Sequence, residues 1–417
     1  MFFTSVLRIV LTRSLKPFVF TNQFSETLAF ETESNLGLYV HIPFCRSICS
    51  FCPYCKVTYN QTLSGEYKKA LLKEIDLVCA KMKEKKQVTS LYFGGGTPAL
   101  MIDDLGDITE KLKKYFMITD GIGIELHPDD VLESNLEKLK NAGVTMVSLG
   151  LQSFDSSCLQ MIGRKENDFT QKLKEVKSKD FKVIDVDLIF AIPGQTEEII
   201  IKDMKTAFDH GATQISTYPF IDFSFTNNRY KPMPEKTKKR LLQGIVAYTK
   251  ENEIKRTSVW TFAKPNTEKY SSVTRDGFLG FGVSATTLLR KEFKINTFSI
   301  ESYIERIDHN SLPTSLTLNF SKRQRACYYL FWNAYSMCLN PSGFQEMIGR
   351  PLEKMYRFEL LIGKLLGLIK KEQSKYILTE KGAYYYHYME QAYTTAYIDK
   401  MWNVSRLTAF PEKIILK

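Results

Sequence analysis

The feature that most constrains the fold is an alternation of short β-rich strings with amphipathic stretches along the first half of the chain. In one such stretch, Tyr67, Leu71, Ile75 and Val78 recur at helical spacing. Strands that alternate with helices form βαβ units around a parallel sheet. The sequence therefore predicts an α/β fold with strands at residues 37–42, 89–93, 121–126, 146–151, 184–192 and 214–220.

Residues with chemically useful side chains or flexible backbone follow each of these predicted strands. In a (β/α) barrel, the active site is built from the C-terminal ends of the strands. Six successive matches therefore predict one shared site on that face of a partial, TIM-like (β/α)6 barrel. The residues are, in chain order, the cysteines of segment 45–52, the glycine run 94–98, Glu125 with His127, Gln152 with Ser153, segment 193–195, and Tyr218.

Three cysteines with the spacing C-x3-C-x2-C follow the first predicted strand: Cys45, Cys49 and Cys52. A structural zinc site is usually closed by four ligands, whereas three thiolates suit a [4Fe–4S] cluster with one iron left without a protein ligand. Such an open iron can bind a small molecule. Cys55 leaves a CxxC redox or zinc motif as the alternative, and that motif would need further partners.

Seven strings, taken in order, resemble a known protein group. They are YVHIPFCxxxCxFC, GGGTP, the segment 125–128, LGLQSF, DLIFAIPGQT, ISTYPF and GFLGFGVSA. As a set they resemble the radical S-adenosylmethionine (SAM) family, and within it the oxygen-independent coproporphyrinogen III oxidase-like group. That group includes haem chaperones and class C methyltransferases. The resemblance spans roughly residues 38–307 and is weaker in the C-terminal region.

The resemblance implies a radical SAM barrel and a set of cofactor-binding residues. It makes Cys45, Cys49 and Cys52 the ligands of a [4Fe–4S] cluster. Because their spacing already leaves one iron open, we expect Cys55 to be dispensable for the cluster. It also implies SAM as cofactor, with room for a second SAM molecule. The residues that it assigns to SAM binding are Tyr39, Phe51, Gly95, Gly96, Thr97, Glu125, Gln152, Arg164 and Asp187.

These residue types suit the assignment on chemical grounds. Glycines at 94–96 let the backbone approach a cofactor closely, because they have no Cβ. Glu125 can accept hydrogen bonds from an amine or ribose, and the Gln152 amide can both donate and accept. Arg164 can hold a carboxylate with two parallel hydrogen bonds. Taken singly, each of these side chains could equally be a strand-end polar residue or part of a surface ion pair.

The implied activity is radical chemistry on a flat, conjugated substrate of tetrapyrrole or quinone type. It could be oxidation, decarboxylation or methylation, with an electron donor such as flavodoxin or ferredoxin. Three departures from coproporphyrinogen dehydrogenases argue against strict coproporphyrinogen decarboxylation. Cys52 and Cys55 stand as CxxC where those enzymes carry CxC, the long N-terminal segment of those enzymes is not recognisable, and His127 occupies a position usually held by asparagine or aspartate. The alternatives are a haem-binding chaperone of the same group and, less favoured, a nucleic-acid-associated protein.

The net charge of +11 could indicate nucleic acid or an anionic surface. The lysines are scattered along helix-like segments, however, so we interpret them as solvated helix faces and expect no nucleic-acid partner. No stretch approaches the roughly 18 apolar residues of a membrane span. The eight unevenly spaced cysteines favour a reducing cytoplasm over a secreted disulfide scaffold.

We expect three regions: an N-terminal extension (1–36), the barrel with its extension (37–320) and a C-terminal domain (321–417). The first 25 residues carry three basic residues and no acid, which is typical of an organellar presequence or of an amphipathic helix docked on the body of the protein. Helices near 324–337 and 352–368, followed by a Leu-Thr-x-Lys-Gly hairpin, predict a small winged-helix-like domain. Its aromatics, including Trp332, Tyr335 and Tyr384, are expected to help cover an anionic substrate.

Overall fold

The computed structural model describes residues 2–226, 228–268 and 276–417. Its largest element is a 14-stranded sheet with the order β12-β13-β11-β10-β9-β8-β6-β2-β14-β15-β16-β17-β1-β21. The strands are β1 (Phe18–Thr21), β2 (Leu36–Ile42), β3 (Phe44–Cys45), β4 (Val57–Thr58), β5 (Lys86–Val88), β6 (Leu91–Gly95), β7 (Phe116–Ile118), β8 (Ile122–Leu126), β9 (Met146–Gln152), β10 (Val183–Phe190), β11 (Gln214–Pro219), β12 (Lys255–Arg256), β13 (Thr261–Ala263), β14 (Gly277–Phe281), β15 (Thr286–Leu288), β16 (Glu292–Asn296), β17 (Thr314–Asn319), β18 (Cys338–Leu339), β19 (Ile369–Glu372), β20 (Lys375–Leu378) and β21 (Lys413–Leu416).

Helices connect and cover these strands. They are α1 (Phe2–Thr12), α2 (Gln61–Cys79), α3 (Leu105–Tyr115), α4 (Glu133–Asn141), α5 (Ser156–Met161), α6 (Phe169–Lys177), α7 (Glu197–His210), α8 (Glu235–Glu251), α9 (Ile300–Asp308), α10 (Lys322–Tyr335), α11 (Pro341–Ile348), α12 (Leu352–Met355), α13 (Arg357–Leu365), α14 (Glu380–Tyr393) and α15 (Asp399–Leu407). In the described part of the chain, none of them is both long and apolar enough to cross a lipid bilayer.

The six predicted strands correspond to β2, β6, β8, β9, β10 and β11, and each pairs in parallel with the next. Most of their residues are buried. Near-continuous burial is the expected result when helices cover a parallel sheet. The partial, TIM-like (β/α)6 barrel is confirmed, and its strand ends lie on one face.

Beyond the barrel, the sheet continues through strands that the sequence pattern did not predict. β14 pairs in parallel with β2, and β14 to β17 then form an antiparallel run. β1 pairs with both β17 and β21, so the sheet takes a strand from each terminal segment of the chain. The division at residues 36/37 and 320/321 remains a prediction, and this pairing crosses both boundaries. Helix α1 contacts α10 and α14, as the docking alternative predicts.

The C-terminal region is mainly helical, as expected, and holds a small sheet of order β18-β20-β19. The turn of its hairpin lies between β19 and β20, at residues 373–374. The prediction of a hairpin at Leu-Thr-x-Lys-Gly is wrong in position, because Thr379 accepts a hydrogen bond from the Gly382 N–H and caps the start of α14. A threonine in that position begins a helix by satisfying one of its unpaired N–H groups.

Candidate functional site

The cysteine loop follows β2 and is closed by a short ladder. β3 pairs with β4, and the Tyr59 N–H donates to the Cys45 carbonyl at 2.9 Å. Cys45, Cys49 and Cys52 are all partly exposed, whereas Cys55 is buried. The loop therefore places three partly exposed cysteines along the cavity at the barrel mouth.

The three cysteines of the loop suit a [4Fe–4S] cluster better than a single metal ion. Within the described residues, no three His, Cys, Asp or Glu side chains converge closely enough to hold one metal ion. In a [4Fe–4S] cluster each thiolate binds a different iron, so the sulfurs do not need to meet at one point. A cradle is also present, since a Cβ added at Gly96 would lie 3.0 Å from the Cys45 Sγ and 2.6 Å from the Phe44 carbonyl oxygen.

The glycine run after β6 packs directly on this loop. The Gly96 N–H donates to the Ile42 carbonyl and the Thr97 N–H donates to the Phe44 carbonyl, each at 2.7 Å. Thr97 Oγ1 lies 3.8 Å from the Cys45 Sγ. Gly95 has φ +120°, and a Cβ there would come within 2.6 Å of the His41 ring. Only glycine accommodates both the positive φ and the close imidazole.

Glu125, at the end of β8, is held against the glycine run. Its carboxylate accepts hydrogen bonds from the Gly95 N–H and the Tyr92 hydroxyl, both at 3.1 Å. Burial raises the pKa of Glu125 to about 7, and these two hydrogen bonds oppose the rise. Glu125 is therefore a buried carboxyl with a raised pKa, and it lines the cavity described below.

Gln152 and Arg164 lie at the end of β9 and just beyond α5. Gln152 has φ +72°, and the β9–β10 register shifts beside it. This bulge re-aims the side chain at the strand end. The Arg164 guanidinium donates to the Gly150 carbonyl, and its Nη1 lies 3.6 Å from the Cys49 Sγ. The structure thus brings the arginine next to the cysteine loop.

Asp187 on β10 lies close to a second buried carboxyl, that of Asp185, which was not among the residues predicted from the sequence. Ser148 Oγ donates to Asp187 at 2.9 Å, and Ser216 Oγ donates to Asp185 at 2.9 Å. Burial, and then the charges of Asp185 and Glu125, raise the pKa of Asp187 well above its ordinary value. Asp185 was missed, although residues at i and i+2 of a strand share a face. That alternation was the available signal.

Tyr39 and His41, on β2, form a chain of hydrogen bonds to the far side of the cysteine loop. The His41 Nε2–H donates to the Cys55 carbonyl at 2.9 Å, and the Tyr39 hydroxyl donates to His41 Nδ1 at 3.0 Å. These roles follow from the carbonyl, which can only accept. Burial lowers the pKa of His41 to about 4, so the imidazole is neutral at pH 7. His41 therefore positions the loop rather than carrying charge.

Phe51 is held by an apolar cluster beneath the loop. It packs against Cys158, Ile162, Ile189 and Phe220, which come from α5, the β10 strand and the segment after β11. The aromatic ring thus anchors the middle of the cysteine loop on the ends of β10 and β11.

A single cavity of about 1010 Å³ opens at these strand ends. This volume lies at the upper end of the range for small-molecule sites, about 300–1,000 Å³. Every site residue predicted from the sequence lines it: Tyr39, Cys45, Cys49, Phe51, Cys52, Gly95, Gly96, Thr97, Glu125, Gln152, Arg164 and Asp187. The structure therefore brings the full predicted set together around one space.

The C-terminal region covers this cavity with some of the expected aromatics. Trp332 and Tyr335 of α10 line the cavity, whereas Tyr384 is not among its lining residues. The expectation for Tyr384 is wrong, because its ring lies under the Lys239 ammonium, 4.5 Å from the ring centroid. Trp402 and Glu390 also line the cavity, although no local motif in the sequence marks either residue.

Comparisons with known proteins agree with this architecture. The family model of the radical SAM superfamily matches residues 39–207. The chain is 26% identical over 361 residues to the heme chaperone HemW of Bacillus subtilis, covering 82% of this chain and 95% of that protein. It is 25% identical over 320 residues to the oxygen-independent coproporphyrinogen III oxidase of Synechocystis, covering 68% of each chain.

Among solved structures, coproporphyrinogen III oxidase (HemN) from Escherichia coli superimposes with a TM-score of 0.75. The match covers 93% of this chain and 98% of that one at 20% identity, and at that identity it speaks for the fold alone. Residues 39–207 thus match the radical SAM superfamily, and the chain as a whole is similar to proteins of the coproporphyrinogen III oxidase-like group.

Proposed function

We propose that this chain is a SAM-cleaving enzyme that carries out radical chemistry on a flat, conjugated substrate. The observation that carries the proposal is the shared cavity: three partly exposed cysteines, the glycine run and the polar strand-end side chains surround one space. The combination of these three features in one cavity is what a site for a [4Fe–4S] cluster and SAM requires.

In this proposal Cys45, Cys49 and Cys52 hold a [4Fe–4S] cluster. With SAM bound, the chemistry supplied is one-electron reductive cleavage of a SAM carbon–sulfur bond, with the electron coming from a donor such as flavodoxin or ferredoxin. Arg164, beside the Cys49 sulfur, binds the SAM carboxylate. Tyr39, Phe51 and the glycines at 95 and 96 form the walls against which SAM lies.

The remaining polar groups orient SAM from the neighbouring strands. Gln152 hydrogen-bonds ribose hydroxyls, while Glu125 and Asp187 accept hydrogen bonds from its amine or ribose. Thr97 fixes the turn next to the Cys45 sulfur. The cavity volume leaves room for a substrate, or for a second SAM, beyond the first.

The C-terminal helices cover the substrate and keep water from the radical intermediate. Oxidation, decarboxylation and methylation remain distinguishable by product: mass spectrometry reports a loss of hydrogen, a loss of carbon dioxide or a gain of a methyl group. A tetrapyrrole or a quinone is the candidate substrate class.

The second candidate is a haem chaperone. It is favoured by the match to HemW of Bacillus subtilis, which spans more of this chain than the match to the Synechocystis oxidase. A stable haem complex without turnover of SAM would support it.

Anaerobically reconstituted protein incubated with SAM and dithionite tests the proposal. We expect 5′-deoxyadenosine or methyl-transfer products, detected by liquid chromatography, and loss of both in Cys45→Ala. Cys338→Ala, in the small C-terminal sheet, is the matched control and should keep iron and activity. Iron that is lost with Cys55→Ala but kept in Cys45→Ala would refute the ligand assignment.

A further inference from the structure

The cavity extends from the strand ends into a chamber formed by α1, α10, α13, α14 and α15. Aromatic rings dominate this part, and they pack on one another: the Phe331 and Tyr393 ring centroids are 4.8 Å apart. Leu7, Leu330 and Met389 add aliphatic surface. All three tryptophans of the chain, Trp260, Trp332 and Trp402, also line the cavity. The chamber is therefore built to contact apolar rings.

Cations are scarce in this chamber. Among the described lining residues from these helices, the charged ones are Arg8, Glu359 and Glu390. The Arg8 guanidinium donates to the Ser14 and Lys16 carbonyls, and its buried Nε has no hydrogen-bond partner among the described residues, so this side chain could pair with one carboxylate at most. Glu359 forms an ion pair with Arg13. An ionised carboxylate buried without a cationic partner is strongly disfavoured, so the chamber is poorly suited to a substrate with several carboxylates.

Glu390 is an unusual group in such surroundings. Thr394 Oγ1 donates to Glu390 Oε1 at 3.0 Å, whereas the buried Oε2 has no hydrogen-bond partner within the described residues. Burial raises the pKa of Glu390 to about 8, so the carboxyl is mainly neutral at pH 7. A neutral carboxyl carries an O–H donor. An unpaired donor in an apolar chamber is costly until a ligand accepts its hydrogen bond.

Glu390 shares its cavity with residues at the strand ends. Tyr335 of α10 and Asp185 of β10 line the same cavity as Glu390. A molecule that contacts Glu390 and Tyr335 thus extends from the chamber toward the proposed SAM site.

On the basis of the proposed SAM-cleaving function, we infer that the substrate is a predominantly apolar conjugated ring system with at most one ionised group. Glu390 donates a hydrogen bond to a carbonyl oxygen or ring nitrogen of that substrate. The inference favours a quinone-type molecule over a tetracarboxylate tetrapyrrole and replaces the expectation of an anionic substrate drawn from the net charge.

The test measures binding to the full-length, cluster-reconstituted protein without reductant, so that no turnover occurs. The probes are 2,3-dimethyl-1,4-naphthoquinone, 2,3-dimethylnaphthalene, which has the same rings without carbonyls, and coproporphyrin III with its four carboxylates. Equilibrium dialysis gives the affinities, and quenching of the three cavity tryptophans reports the location. We expect the quinone to bind more tightly than either other probe.

Substitutions at Glu390 distinguish the contribution of its hydrogen bond to quinone affinity from the contribution of apolar contact. Glu390→Leu should weaken quinone binding about 2- to 10-fold, the range of one hydrogen bond, and leave the hydrocarbon unchanged. Glu390→Gln, which keeps a neutral donor, should bind the quinone like the wild type. Glu372→Leu, which removes an exposed carboxylate on β19, is the matched control. Unchanged quinone affinity in Glu390→Leu would overturn the role of Glu390.

The order of the three probe affinities in the wild-type protein tests whether the chamber disfavours a ligand with several carboxylates. Coproporphyrin III binding more tightly than the quinone, with quenching of the tryptophans, would overturn the substrate class. Failure of SAM cleavage while the quinone still binds refutes the proposed function instead. Normal SAM cleavage without quinone binding refutes only this inference.

Discussion

The Arg406 guanidinium, on the last helix of the chain, donates a hydrogen bond to the Pro53 carbonyl inside the cysteine loop. The same guanidinium lies 4.6 Å from the Phe225 ring centroid and 5.7 Å from that of Phe298. Four residues earlier on α15, the Trp402 ring lies 5.9 Å from that of Tyr54. The C-terminal helix therefore holds the loop proposed to bind the cluster.

Removing that guanidinium should loosen the loop. A hydrogen bond from a charged donor is worth about 1.5–3 kcal/mol, so Arg406→Ala is expected to speed the loss of iron to a chelator about tenfold or more. The rate is followed by the decay of the cluster's visible absorption. Lys400→Ala, on the same helix, removes an exposed cation and should leave the rate unchanged. Equal rates in the two variants would show that α15 does not hold the loop.

Arg164→Ala should weaken SAM binding about tenfold or more, because one charge-assisted hydrogen bond to the SAM carboxylate is lost. Binding is measured by equilibrium dialysis on protein with a verified iron content. The adjacent Lys165→Ala is the control. Unchanged affinity in Arg164→Ala would remove this residue from the proposed SAM site.

The buried Glu74 carboxyl should make the free energy of unfolding depend on pH. It is buried in α2, where its carboxylate accepts hydrogen bonds from Tyr303 at 2.6 Å, from the Gly282 N–H at 2.6 Å and from Asn296 at 2.9 Å. Burial raises its pKa from 4.5 to about 7 despite these bonds. Between those values the unfolded chain binds fewer protons than the folded one, so this group's contribution to stability falls as pH rises through the window.

We expect the Glu74 contribution to the free energy of unfolding to fall by about 2–3 kcal/mol between pH 5 and pH 8. Urea titrations of wild type and Glu74→Gln at both values measure it. The variant should show a smaller loss over this range. It should also be less stable at pH 5, because an amide has one acceptor oxygen for three donors. Parallel pH profiles would contradict a raised pKa at Glu74.

Gly282 adjoins the same network and tolerates no side chain. It has φ +99°, and a Cβ there would lie 2.8 Å from the His41 carbonyl oxygen and also clash with the Tyr67 hydroxyl. Gly282→Ala should cost about 1–3 kcal/mol from strain alone, read as a lower thermal midpoint. Gly65→Ala, in α2 with nothing within 4 Å of the added Cβ, should raise it slightly. A stable Gly282→Ala would contradict this packing.

Local patterns in the sequence were sufficient for the barrel and most of the site. Runs of buried apolar residues predicted β2, β6 and β8 to within two residues at each end. Because parallel strands all present their carboxyl ends on one face, residues distant in sequence, such as Cys45 and Asp187, could be assigned to one site. This inference needs only the order of the elements along the chain.

The tertiary structure alone decided the contacts that depend on distant packing. No local periodicity in the sequence indicates these contacts. They are the pairing of β1 with β21, the Arg406 hydrogen bond to Pro53 and the position of Glu390 in an aromatic chamber. Strand pairing between chain ends and burial of a single carboxyl result from many weak contacts summed over the whole fold. Spacing and composition therefore determined the barrel and its cysteine loop, whereas the cover of the cavity and its charge emerged only from the packed chain.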